Sequence, residues 1–70
     1  MRYRRMANDQ WHPNPGRLPV DVRPTDFVHV RLRNGWTSLN GAPWPAERGT
    51  NWRIGNPPHP FDICDYRLAT

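Results

Sequence analysis

Nine prolines, at positions 13, 15, 19, 24, 43, 45, 57, 58 and 60, set the strongest limit on what this chain can fold into. Proline has no backbone N–H and a fixed φ, so it interrupts helix interiors and central strands. Regular structure must therefore fit the gaps 25–42, 46–56 and 61–70. The stretch before them, Trp11 to Pro24, reads as an extended, proline-stiffened segment that lays Trp11, Leu18 and Val20 over a core.

The first gap carries the clearest pattern. Val28, Val30 and Leu32 alternate with Phe27, His29, Arg31 and Arg33, the period-two signature of a half-buried strand. Asn34-Gly35 follows, the dipeptide that most favours a two-residue type I′ turn, because both central positions need positive φ. That turn predicts a register in which Arg33 opposes Trp36, Leu32 opposes Thr37, Arg31 opposes Ser38 and Val30 opposes Leu39. A second Asn-Gly, at 40 and 41, is expected to end the return strand.

Pro45-Ala46-Glu47-Arg48 resembles one helical turn closed by Gly49, and Trp52 and Ile54 alternate with Asn51 and Arg53 as a short strand-like piece. The last segment, FDICDYRL, has strand composition in two competing phases. We take Cys64, Tyr66 and Leu68 as core-facing, which places Asp65 and Arg67 on the face of Arg31 and Arg33, where Asp65 pairs with an arginine across strands. The expected fold is a mainly β domain: a small twisted antiparallel sheet of three to four short strands, with an N-G hairpin and proline-rich loops. Residues 1–10 are charged and aperiodic and read as a flexible N-terminal arm before a single domain over 11–70, with Met6 a second candidate start.

Composition bounds the rest. Val, Leu, Ile and Phe supply 12 of 70 residues, so a thin core leans on four Trp and two Tyr. A chain this short buries only about 60% of its unfolded surface, and a single cysteine, Cys64, allows no internal disulfide. Homo-oligomerisation or a ligand is the expected source of further stability. No apolar run is long enough to cross a membrane and no signal peptide is legible, which reads as a cytoplasmic protein. All ten basic residues are Arg, the net charge is +4 and the pI is about 10.6.

Few residues suggest chemistry. His12, His29, His59 and Cys64 lack the CxxC or HxxxH spacing of zinc sites, so no metal or cofactor is expected. Cys64 reads as a buried thiol, and Asp62 and Asp65 as ion-pair partners. No nucleophile, base and oxyanion set can be assembled, which makes an enzyme the least favoured class.

The order Leu18-Pro19-Val20, then Val28, Val30, Arg31, Arg33-Asn34-Gly35, then Ala46, then Trp52, Ile54 and Gly55, then Asp62-Ile63 and Tyr66-Arg67, resembles small proteins encoded by tailed phages and prophages. Those read as a strand ending in a "VRFRDG"-like turn, a "WxW" segment and a closing "DIxAYR". The likeness runs from about Trp11 to Leu68, with three departures. Ile54 stands where a second Trp is usual, Asp65 where a small residue is usual, and a proline-rich insertion separates Gly55 from Asp62. The resemblance implies a phage context, with the host cytoplasm as location, more than it implies a function.

The residues themselves point to binding. A face of Phe27, His29, Arg31, Arg33, Trp36 and Ser38 offers guanidinium forks for phosphate, rings for stacking and a hydroxyl for orientation. Arg31, Arg33 and Arg67 are expected to hold phosphate, with His29 on the same face and Trp36, joined by Trp52 or Tyr66, stacking on a base. The leading expectation is a non-enzymatic protein that captures an anionic nucleotide-like small molecule. In a phage that would be counter-defence, the sequestration of a host immune signal. The alternatives are a nucleic-acid-binding module and a protein–protein inhibitor or accessory factor that docks on a host protein.

Overall fold

The structure, a computed structural model, describes residues 10–69. Its two full strands fall where the proline-free gaps allow them. β2 (Phe27–Leu32) and β4 (Ile63–Leu68) lie antiparallel at the centre of one sheet, edged by the two-residue strands β1 (His12–Pro13) and β3 (Trp44–Pro45) in the order β1-β4-β2-β3. Each edge strand contains a proline, which has no N–H to offer a further strand and so limits edge pairing. The protein is mainly β, and among the described residues there is no helix. The N-terminal arm expected over residues 1–10 lies outside the described residues except for its last position.

The alternation in β2 is realised as read: Val28 and Val30 are fully buried and pair with Leu68 and Tyr66 of β4. Val22, Ala46, Trp52 and Ile63 complete the core, with Leu18, Leu32 and Trp44 packed against it. One face of the sheet is thus covered by irregular chain, and the face of His29, Arg31, Asp65 and Arg67 lies opposite.

β4 settles its two phases by using both. Arg31 pairs with Asp65 but Leu32 pairs with Ile63, so Cys64 is an extra residue in a bulge. Ile63 and Tyr66, three apart, are therefore both buried, while Cys64 is only half-buried.

The hairpin differs from the expected register by one residue. Leu32 N donates to Trp36 O at 2.8 Å, Ser38 N donates to Val30 O at 3.1 Å, and Arg31 bridges Thr37. Three residues, Arg33, Asn34 and Gly35, make the loop, and of the pair Asn34-Gly35 only Gly35 has positive φ, +94°. This is a type I turn, closed by Gly35 N on Leu32 O at 2.9 Å, followed by a left-handed glycine. The tip is tied to the proline loop: Arg33 N donates to Asp62 O at 2.8 Å and Asn34 N to Pro60 O at 3.0 Å. A one-residue slip exchanges the faces of the return segment. Ser38, 1% exposed, opposes Val30, while Leu39, expected in the core, is exposed.

Other short-range readings gave way to packing. Pro45 is in β3 and residues 46–49 form a turn rather than a helical one, because Ala46 N is used by Asp26 O at 2.8 Å and Ala46 is buried. Residues 51–55 form no strand: Trp52 turns into the core and Ile54 stays exposed. In the first segment Val20 is almost fully exposed and Val22 takes the core position expected of it. Asn14 pins that segment in place. Its Nδ2 donates to Trp52 O at 2.9 Å and Ile63 O at 2.8 Å, and its Oδ1 accepts from Gly16 N at 2.8 Å.

Candidate functional site

The face away from the core is built by cross-strand register. His29 lies opposite Arg67 and Arg31 opposite Asp65. Asp65 Oδ2 accepts from Arg31 Nε at 2.9 Å and Nη2 at 2.8 Å, the cross-strand pair anticipated from the sequence. Half-exposed, such a pair contributes only about 0–1 kcal/mol. Its larger effect is to neutralise Arg31 and fix where its guanidinium lies.

The aromatic partner of these arginines is Trp11, not Trp36. β1 pairs His12 with Tyr66, and the preceding residue, Trp11, lies over this face with Arg31 Cζ 4.8 Å and Arg67 Cζ 4.6 Å from its ring. Each contact is worth about 0.5–1 kcal/mol at an exposed site. Nothing local in the sequence marks Trp11 for this, since only the distant pairing of β1 with β4 brings it here. Arg67 differs from Arg31 in one respect: among the described residues it forms no ion pair with a carboxylate.

Beside Arg67, His29 Nδ1 lies 3.0 Å from Ser38 Oγ. That hydroxyl also accepts from Val30 N at 3.0 Å, in place of a strand carbonyl, and its own proton is available to Nδ1. In that arrangement the imidazole carries its N–H on Nε2. Phe27, on the same side of β2 as His29, is half-exposed.

The remaining predicted site residues are elsewhere. Arg33 is at the hairpin tip, its Nη2 3.8 Å from Asp62 Oδ2. Asp62 Oδ2 also accepts from His59 N at 2.8 Å and Gly55 N at 3.0 Å. These N–H groups, that of His59 foremost, hold its carboxyl below the usual range, with Arg33 adding to the effect. Trp52 and Tyr66 are core residues, packed edge to face at 5.4 Å, with Trp52 Nε1 donating to Ala46 O at 2.7 Å. Burial pushes the Tyr66 phenol up, and the charge of Asp21 adds to the shift. Both rings thus lie in the core and not on the face of Arg31 and Arg67, which corrects their assignment to that face.

Trp36 belongs to a second surface. The register slip sets it opposite Leu32 and 5.9 Å from Trp44, and with Asn34 and Phe61 these residues line a cleft of about 310 Å³. A further hollow, of about 290 Å³, lies between His12, Pro15, Leu18, Pro19 and Tyr66. Beside it His12 Nε2 is buried without a hydrogen-bond partner among the described residues. Among the described residues no group of His, Cys, Asp or Glu is clustered to hold a metal, and no helix is long and apolar enough to cross a membrane.

Two structural classes of surface are thus present on a small open β-sheet: a cationic face carrying a stacked tryptophan, and an apolar aromatic cleft. Comparison with protein-family models, with curated proteins and with solved structures finds no match to this chain.

Proposed function

We propose that the protein is a non-enzymatic binding domain whose cationic sheet face captures a small anionic ligand bearing an aromatic ring, of the nucleotide type. The carrying observation is Arg67. Its guanidinium is held over Trp11 at 4.6 Å with no carboxylate partner among the described residues. Such a group is pre-positioned, and its edge suits bidentate contact with phosphate oxygens.

The neighbours fit this reading. His29 stands directly across from Arg67, and Phe27 offers a half-exposed ring on the same side. Arg31, neutralised by Asp65, serves mainly to hold Trp11. Asp65 on the same face works against an extended polyanion, which favours a compact ligand over a nucleic-acid strand. Ser38 is engaged with Val30 N and His29 and is 1% exposed, so its hydroxyl is unavailable as a nucleophile. In the phage setting implied by the sequence, the fitting ligand is a host signalling nucleotide, removed by sequestration.

Titration of linear and cyclic nucleotides, followed by tryptophan fluorescence, tests this. Nucleotide should bind and inorganic phosphate should do little. Arg67→Gln removes a charge-assisted contact worth about 1.5–3 kcal/mol and should weaken affinity roughly ten- to a hundredfold. Trp36→Ala should leave it unchanged. Failure of every nucleotide to bind more tightly than millimolar would retire the proposal.

A further inference from the structure

The aromatic cleft at the hairpin tip has no role in the ligand reading. Phe61 is 67% exposed and Trp36 49% exposed, in a chain otherwise short of apolar side chains for its core. We infer that this cleft is closed by a second copy of the same chain, each copy presenting Phe61 to the Trp36–Trp44 cleft of the other across a two-fold axis.

Three observations favour that occupant. First, knob and hole belong to one patch: Phe61 lines the same cleft as Leu32, Trp36 and Trp44. A patch that holds both halves of a contact is self-complementary, as a two-fold interface requires. Second, the charge beside the cleft is balanced within one copy, because Arg33 Nη2 lies 3.8 Å from Asp62 Oδ2, at the long limit of an ion pair. Two such rims therefore meet with little local repulsion between them. Third, the patch is already ordered. Asn34 N bonds Pro60 O at 3.0 Å, Arg33 N bonds Asp62 O at 2.8 Å, and Trp36 N bonds Asn34 Oδ1 at 2.9 Å. Little further ordering then opposes association.

The area fits a modest dimer. With about 150–250 Å² in a large aromatic side chain, the exposed parts of Phe61 and Trp36 supply about 250 Å² per copy. Trp44, Leu32, Arg33, Asn34 and Pro60 need to add about as much again to reach the roughly 1,000 Å² total of a specific interface. Each copy carries a net charge of +4, so the copies repel at long range. Added salt screens that repulsion and should strengthen the dimer, the reverse of its effect on a charge-driven contact.

Sedimentation of the full chain from micromolar to near-millimolar concentration tests the inference. The expected result is a reversible dimer, firmer at moderate salt. Phe61→Lys, at an exposed position, should weaken it by about tenfold or more while the far-ultraviolet circular dichroism stays unchanged. Trp36→Ser should act the same way, and Arg67→Gln, on the other side of the sheet, should not. A chain monomeric at near-millimolar concentration would overturn the inference. So would a dimer that survives both cleft substitutions, because the interface would then lie elsewhere.

Discussion

Asn14 is the residue on which this fold can be tested most severely. It is 8% exposed, and its side chain joins three parts of the chain: the first loop, the segment at Trp52 and the start of β4. Asn14→Leu keeps the branched shape and the number of heavy atoms and removes all three hydrogen bonds. The carbonyls of Trp52 and Ile63 and the N–H of Gly16 lose their partner, at about 1–3 kcal/mol for each group left buried. A loss of about 3 kcal/mol or more follows, against a total of about 4–10 kcal/mol for a domain of this length. At a urea slope of about 1 kcal/mol per molar, the midpoint of unfolding by tryptophan fluorescence should fall by about 3 M or more.

Asn14→Asp makes the test specific. The carboxylate keeps the acceptor for Gly16 N but turns its second oxygen toward two carbonyls. Burial and those oxygens oppose ionisation, so the folded pKa of the new group is raised above its unfolded value near 4. A raised pKa means stability retained at low pH and lost as pH rises through the folded value. Relative to wild type at each pH, this variant should therefore be less destabilised near about pH 4 than near about pH 7. Equal destabilisation at both, or an Asn14→Leu variant within about 1 kcal/mol of wild type, would refute the assigned hydrogen bonds.

Three further outcomes are expected. Gly35 has φ +94° and open space around an added Cβ, so Gly35→Val should cost about 1 kcal/mol or more through backbone strain alone, with Gly35→Asn milder in the same urea measurement. Ser38→Ala leaves the buried Val30 N–H without its hydroxyl acceptor, which should cost about 1–3 kcal/mol and raise the hydrogen-exchange rate of that amide. Asp62 has a lowered carboxyl pKa, so its contribution to stability is present above the unfolded value near about 4 and is lost as pH falls through the folded one. Asp62→Asn should flatten that acid limb of the stability profile.

The sequence by itself determined the elements whose information is local or periodic. Nine prolines confined the two long strands to their gaps, and the alternation from Phe27 to Leu32 assigned Val28 and Val30 to the core before any contact was known. The same alternation put Arg31 on the face where it meets Asp65. Tertiary structure decided whatever rested on one residue of register. Asn34-Gly35 serves a two-residue or a three-residue loop almost equally well by its own chemistry. The three-residue form is the one in which Arg33 N and Asn34 N meet Asp62 O and Pro60 O, groups more than 25 residues away. That slip moved Trp36 from the arginine face to the aromatic cleft and put Ser38 where Leu39 was expected. The bulge at Cys64 is likewise set by pairing with β2. Trp11 reached the arginines only because β1 found β4 across more than 50 residues of chain. Strand period follows from backbone geometry within a segment, whereas register and edge pairing follow from hydrogen bonds between distant segments, which no local pattern of residues encodes.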